Sequence, residues 1–122
     1  AKVGLAFFWP PLERQVIIKG EAVKLSSQAS DSYFKSRPKG SQIGAIVSDQ
    51  SKVISDRSIM EAKLEALEIE YAEKEVPRPE HWGGYVVKPQ CIEFWQGRPN
   101  RLHDRMRCQL QGNFWNIERL AP

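Results

Sequence analysis

An α+β fold with a largely antiparallel sheet is predicted by three features of the sequence. Strand-like segments occupy the stretch before Ser26, helical patterns run from Ser26 to Lys74, and short strand-like segments return after Gly83. Strands grouped at both ends with helices between them do not follow the alternating order of a parallel α/β sheet. The 122 residues allow one domain, and four Trp, five Phe and three Tyr supply the burial that must offset chain entropy.

The elements follow in order. Val3 to Trp9 reads as a buried strand that stops at Pro10-Pro11. Leu12 to Leu25 reads as a second strand, with Val16, Ile18, Val23 and Leu25 in rough alternation and Gly20 as a bulge or bend. The double proline makes the two a hairpin. Ser26-Ser27 offers N-caps for a helix over Gln28 to Ser36, which Pro38 ends. A second short helix is expected from about Ser41 to Val47, then a polar loop from Ser48 to Ser55.

The clearest helix pattern runs from Ser58 to about Lys74. Ser58 and Glu61 have capping-box spacing, and Ile59, Met60, Leu64, Leu67 and Tyr71 mark one face. Glu70 and Lys74 form an i,i+4 pair, and Val76-Pro77-Arg78-Pro79 stops the helix. Strands are then expected over Tyr85 to Val87, Cys91 to Gln96, Asp104 to Leu110 and Phe114 to Leu120, with Gln111-Gly112-Asn113 as a hairpin turn. There are no internal repeats and no low-complexity segments.

Composition narrows the function classes. The net charge of +3 is mildly basic and interspersed, so a nucleic-acid binder is not expected. Arg98, Arg101, Arg105 and Arg107 do cluster around His103, a pattern better suited to a small anion than to a long polyanion. No window approaches the ~20 apolar residues of a membrane helix, and no signal peptide is read at the start. Cys91 and Cys108 are expected to be reduced core thiols of a cytoplasmic protein, and neither histidine has metal-ligand spacing with them. There is no glycine-rich phosphate loop and no Gly-x-Ser-x-Gly elbow, so kinase and hydrolase readings find no support.

Three constellations can carry chemistry. Tyr33 and Arg37 lie four apart on one helix face, and Ser41 follows at the start of the next helix. A guanidinium fork, hydroxyls and a helix N-terminus make a phosphate pocket. The same spacing also describes a solvated arginine and an ordinary capping serine.

Around His103, an extended Arg101-Leu102-His103-Asp104-Arg105 would turn Arg101, His103 and Arg105 to one side, where they could stabilise an anion. The alternative is a polar strand face or turn with Asp104 pairing an arginine. Trp82-Gly83-Gly84-Tyr85 and Glu93-Phe94-Trp95-Gln96-Gly97 set aromatics beside glycines, as a platform for a flat ring or as core.

The order of these motifs is more specific than any one of them. Leu12-Glu13-Arg14-Gln15-Val16, Ser36-Arg37-Pro38, Ser41-Gln42-Ile43-Gly44-Ala45, Gln50-Ser51, the two tryptophan-glycine motifs, Arg101-Leu102-His103-Asp104-Arg105 and the closing Glu118-Arg119-Leu120-Ala121-Pro122 closely resemble the pyridoxamine 5′-phosphate oxidase family. The resemblance covers essentially the whole chain. It implies an FMN-binding split β-barrel, mostly antiparallel with flanking helices, that works as a homodimer through a C-terminal dimerisation region at about residues 83–122.

The implied activity is oxidation of pyridoxamine 5′-phosphate or pyridoxine 5′-phosphate to pyridoxal 5′-phosphate, with O2 as acceptor and H2O2 as product. By motif, Gln15, Gln50, Ser51, Trp95 and Arg105 resemble FMN contacts. Tyr33, Arg37 and Ser41 resemble the clamp on the substrate phosphate. Arg101, Leu102 and His103 resemble the groups over the substrate ring, with Arg101 and His103 catalytic through loss of the substrate proton. Arg105 resembles the cation that offsets charge on the reduced flavin.

One departure bears on these expectations. Family members carry an upstream region, with a basic motif and a Ser-Arg-Lys segment that hold the FMN phosphate, and nothing before Val3 resembles it. The N-terminal strands are therefore expected to be missing. The alternative to catalysis is a truncated split-barrel fragment that dimerises or binds pyridoxal phosphate without turnover.

Overall fold

The computed structural model describes all residues, Ala1–Pro122. Its elements are β1 (Lys2–Trp9), β2 (Arg14–Lys24), α1 (Ser27–Ser36), α2 (Lys39–Val47), α3 (Ser58–Glu70), β3 (Tyr85–Gln96), β4 (Asp104–Gln111) and β5 (Phe114–Leu120). They fall into two compact units, one of Ala1–Val23 with Tyr85–Pro122 and one of Lys24–Gly84. The strands-helices-strands order expected from sequence is the observed one.

The first unit is a five-stranded sheet in the order β1-β2-β3-β4-β5, with β1 and β5 as its edges. The sheet is open: no pairing joins β1 to β5. The β1–β2, β3–β4 and β4–β5 pairs are antiparallel. Trp9 and Arg14 close the first hairpin around a 3₁₀ turn at Pro10–Leu12, so the second strand starts two residues later than expected. The two prolines suit the turn because the first residues of a 3₁₀ or α-helix have no N–H partner to lose. Glu13 leaves it in the left-handed region at φ 48°.

Gly20 is not a bulge. The β1–β2 register runs without a break through Val3↔Gly20. The residue must be glycine because a Cβ there would stand 2.2 Å from the Lys88 carbonyl oxygen. A close approach of backbone, not a bend, explains it.

The third strand also differs from expectation. Two short strands separated at Pro89 are in fact one, Tyr85–Gln96. Proline removes a ladder donor, but pairing to β4 begins only at Cys91, so no bond on that side is lost. Gln111↔Phe114 closes the last hairpin over Gly112-Asn113, with Gly112 at φ 61° as a tight two-residue turn requires.

Buried residues in this unit are only Gly20 and Gly97, and large apolar side chains stand out along both edge strands. Phe7, Phe8 and Trp9 on β1 and Phe114 and Ile117 on β5 are exposed.

The second unit holds the core. Phe34, Ile43 and Val76 are buried, with Leu64, Leu67, Tyr71 and Trp82 packed against them. Leu64, Leu67 and Tyr71 belong to the expected face of the long helix, whereas Ile59 is exposed. Ser26 caps α1 by accepting the Ala29 N–H at 3.2 Å, as expected.

Helix α3 is shorter than its pattern and capped differently. Arg57 is its N-cap residue, the Asp56 carboxylate accepts the Ser58 N–H, and Glu61 pairs with Arg57 at 2.8 Å. Ser58 is the first helical residue rather than the cap, its N–H is satisfied by that aspartate, and the Glu61 N–H reaches the Arg57 carbonyl at 3.2 Å. No ion pair forms between Glu70 and Lys74, because the helix ends at Glu70.

Candidate functional site

The candidate residues lie in both units. Tyr33, Arg37, Ser41, Gln50 and Ser51 belong to the helical unit; Gln15, Trp95, Arg101, Leu102, His103 and Arg105 belong to the sheet.

In the helical unit, the α1–α2 junction forms an anion-binding geometry. Arg37 is the C-cap of α1 and Pro38 the N-cap of α2. Proline has no side-chain oxygen, so nothing on it caps the helix. Ser41 is not a cap either: it sits inside the first turn, and its N–H and that of Gln42 both reach the Pro38 carbonyl, at 2.9 and 3.1 Å. Gly40 beside it faces open space. The helix dipole therefore presents an uncapped N-terminus next to a guanidinium.

The Arg37 side chain is half-buried, and its Nη1 is shielded from solvent with no hydrogen-bond partner. A buried donor on a cation is costly to leave unpaired. Lys35, Arg37, Lys39 and Lys74 line a cavity of about 350 Å³ with Gln42, Val76 and a single carboxylate, Glu75. Lys39 is anchored there by its Nζ donating to the Ala72 carbonyl at 2.9 Å.

Trp82, read from sequence as platform or core, is the hinge of this arrangement. Its ring stacks on Tyr33 with centroids 6.0 Å apart, meets Phe34 edge-on at 5.1 Å, and lies 5.0 Å from the Arg37 guanidinium carbon. The two glycines after it serve the packing of the unit. A Cβ at Gly83 would crowd the Ser30 hydroxyl at 3.1 Å, and one at Gly84 would strike Leu25 at 2.7 Å. Gln50 and Ser51 are exposed in the turn after α2, where Ser51 has φ 67°.

In the sheet unit, Gln15 and Trp95 line one cavity of about 470 Å³ with Trp9, Phe94 and Met106 among its walls. Flat aromatic walls and few polar groups describe a site for a planar ligand. Gln96 braces its rim: its Nε2 donates to the Leu12 carbonyl at 3.1 Å, and its Oε1 accepts from Arg14 Nε at 2.6 Å. Gly97 allows this closeness, since a Cβ there would lie 2.8 Å from that of Glu13.

The segment around His103 is not extended, so Arg101, His103 and Arg105 do not share a strand face; of the two arrangements open from sequence, the turn with Asp104 pairing an arginine is the one formed. Pro99–Arg101 is a 3₁₀ turn with Asn100 at φ 58° and Arg101 at φ 62°, and β4 begins only at Asp104. The turn exposes Arg101 and Leu102. His103 folds back, with Nδ1 accepting the Arg98 N–H at 3.0 Å and its ring 5.0 Å from that of Trp95.

The arginine cluster is largely neutralised by carboxylates. Asp104 accepts from Arg98 at 2.9 Å and Arg119 at 2.8 Å, and the Arg98 hydrogen bond is the main reason its carboxyl titrates below the usual range. Glu93 accepts from Arg105 at 2.7 Å and holds that guanidinium more basic than usual. Arg107 pairs with Glu118 directly across the β4–β5 ladder. Arg101 has no carboxylate partner in its unit, so it is the cation of the cluster left for a ligand.

Sequence reasoning missed Glu93 and Gln96 as supports. Period-two spacing carries a signal for Glu93: it shares a strand face with Trp95, whose ladder partner is Arg105. Trp82 carried none for its contacts, because its partners Tyr33 and Arg37 are far away in sequence.

Comparisons with known proteins bear on the family of the chain. A family model described as pyridoxamine 5′-phosphate oxidase matches residues 1–71, and one described as pyridoxine 5′-phosphate oxidase C-terminal dimerisation region matches residues 82–122. The pyridoxine/pyridoxamine 5′-phosphate oxidase of Flavobacterium psychrophilum is 60% identical over 119 residues, covering 97% of this chain and 56% of that protein. The protein of the same name from a Cyanothece species is 58% identical over 118 residues, 97% of this chain and 55% of its own length.

A crystal structure of PhzG from Burkholderia lata 383, in complex with tetrahydrophenazine-1-carboxylic acid, matches with a TM-score of 0.90 at 29% identity. The match covers 99% of this chain and 59% of PhzG. The chain spans about half the length of the curated relatives it matches. Two family models that together take in nearly all of it leave no doubt of its kinship: the chain belongs to the pyridoxine/pyridoxamine 5′-phosphate oxidase family.

Proposed function

We propose that the chain is part of an FMN-dependent oxidase that converts pyridoxamine 5′-phosphate or pyridoxine 5′-phosphate to pyridoxal 5′-phosphate, with O2 as acceptor and H2O2 as product. The observation that carries this reading is the buried, acceptor-free Nη1 of Arg37 beside the uncapped start of α2. A phosphate dianion satisfies both at once. Tyr33 and Ser41 supply hydroxyls to the same anion, one from each side of the Pro38 junction.

The cavity of the sheet unit fits a flavin ring by its chemistry. Trp95 and its aromatic neighbours cover a flat face, and the Gln15 amide reads a polar edge. Gln15, Trp95 and Arg105 would hold FMN from the sheet, with Gln50 and Ser51 as further contacts. Held by these residues, FMN would supply the two-electron oxidation of the substrate, with O2 as the final acceptor.

The chain's own residues orient and manage charge. Arg101, in its strained left-handed turn and without a carboxylate partner, meets the substrate ring and assists loss of its proton; His103, held at Nδ1 by the Arg98 N–H, turns its Nε2–H to the same ring as a donor. Glu93 fixes the Arg105 fork in place, so its positive charge is preorganised rather than mobile.

The open sheet is proposed as part of a split β-barrel, and its exposed edge strands and dimerisation region as the surface of a homodimer. No helix is long and apolar enough to cross a membrane. The free, half-buried thiols of Cys91 and Cys108 suit a reducing compartment, and we place the protein in the cytoplasm.

The test is anaerobic. The protein is mixed with FMN, pyridoxine 5′-phosphate is added, and flavin absorbance is followed before and after air is admitted. Bleaching that recovers in air is the expected result. Bound FMN that never bleaches makes this chain a binding module without turnover, and FMN that stays free removes it as a flavoprotein on its own.

A further inference from the structure

We propose that Trp82 is a positioning residue for the phosphate clamp: its ring face holds the Arg37 guanidinium and the Tyr33 ring in register while leaving the arginine's N–H donors to an anion. This inference rests on reading Tyr33 and Arg37 as that clamp.

The support is geometric. A side chain can immobilise a guanidinium through a carboxylate, through carbonyls, or through an aromatic face. The first two consume N–H donors, and a carboxylate also cancels the charge; a ring face does neither. Arg37 is held in the third way, 5.0 Å from the Trp82 centroid, and its Nη1 has no acceptor. Three arginine–carboxylate pairs of the sheet unit, Arg98–Asp104, Arg107–Glu118 and Arg119–Asp104, show the alternative, in which the cation is already spoken for.

The same indole stacks on Tyr33 at 6.0 Å with ring planes 19° apart, so one side chain sets the spacing of two clamp groups. Trp82 is itself fixed. Its backbone N–H donates to the Pro79 carbonyl at 3.0 Å, and its backbone carbonyl accepts from Arg78, whose Nε pairs with Asp31 on α1. The Arg78 side chain is 13% exposed and the Asp31 side chain 51%, so this tie between the tryptophan loop and the helix that carries the clamp is shielded on the arginine side only. Asp31, Tyr33 and Arg37 all lie on α1 or its cap, so Trp82 and the clamp are referred to one rigid element.

The experiment compares binding of pyridoxine 5′-phosphate with pyridoxine by calorimetry, for the native chain and for Trp82→Phe, Trp82→Leu, Arg37→Leu and the Arg37→Leu/Trp82→Leu double variant. The native chain prefers the phosphorylated ligand. Trp82→Leu lowers that preference about tenfold, Trp82→Phe retains most of it, and Trp82→Leu costs less once Arg37 is gone, because only the Tyr33 contact is then lost. A native chain with no preference overturns the clamp itself. A native preference that Trp82→Leu leaves intact overturns only the positioning role.

A second measurement needs no destabilising change. In the native sequence labelled with fluorotryptophan, with the Trp82 signal assigned through Trp82→Phe, inorganic phosphate shifts that resonance with the midpoint of phosphate binding. A Trp82 signal that stays still while phosphate binds sinks the proposal, whether or not the leucine variant folds.

Discussion

The Nδ1 atom of His103 accepts the backbone N–H of Arg98 at 3.0 Å. An imidazole nitrogen that accepts cannot carry the proton, so the neutral ring holds it on Nε2. Nitrogen NMR is expected to show the Nε2–H tautomer for His103. In His103→Phe, the Arg98 amide should exchange with solvent about tenfold faster or more, because its acceptor is gone. An Nδ1–H tautomer in the native protein contradicts the assignment.

Arg37 makes a contrasting case, a buried donor with no acceptor. Arg37→Leu removes an uncompensated group, so thermal stability is expected to hold or rise slightly. Affinity for a phosphorylated ligand is expected to fall at least about tenfold, the scale of a hydrogen bond to a charged group. Loss of stability with unchanged phosphate affinity would make Arg37 a structural residue.

Gly20→Ala tests the backbone crossing at β3. The new methyl would start 2.2 Å from the Lys88 carbonyl oxygen, which belongs to rigid backbone. Strands must separate to admit it, and the expected cost is about 1–3 kcal/mol or more, read as a lower urea midpoint. Gly40→Ala is the control, since a Cβ there meets nothing within 4 Å.

Asp104 links the sheet to pH. Its carboxyl is held below the ordinary aspartate value, first by the Arg98 hydrogen bond and further by Arg119. A depressed carboxylate contributes its stabilisation in full above the unfolded value of about 4 and loses it as pH falls through the lower folded value. Native protein and Asp104→Asn are therefore expected to differ in urea midpoint at neutral pH and to converge at low pH. A gap that widens on acidification refutes the pairing. Because these groups are partly exposed, the gap is expected to shrink in high salt.

Much of this protein was legible in its sequence. Alternation, the double proline and Gly112 placed the two hairpins, and Ser26 placed the start of α1, because each is a local rule with the responsible residues within a few positions. The motif order identified the family for the same reason: it is written along the chain. Where a local signal competed with a neighbour, the reading failed. Asp56 took the cap that Ser58 was expected to form, and the long helix stopped at Glu70 despite favourable residues beyond it.

What only the tertiary structure decided was which groups remain free. Sequence placed four arginines around His103 and offered Asp104 as a partner for one, without saying which, nor that Glu93 and Glu118 engage two more and leave Arg101. It placed Tyr33 and Arg37 on one helix face without revealing that Trp82, from a distant loop, meets both. Charge and residue type are properties of the chain. Partnership is a property of distance, and contacts between residues far apart in sequence are set by the folded backbone.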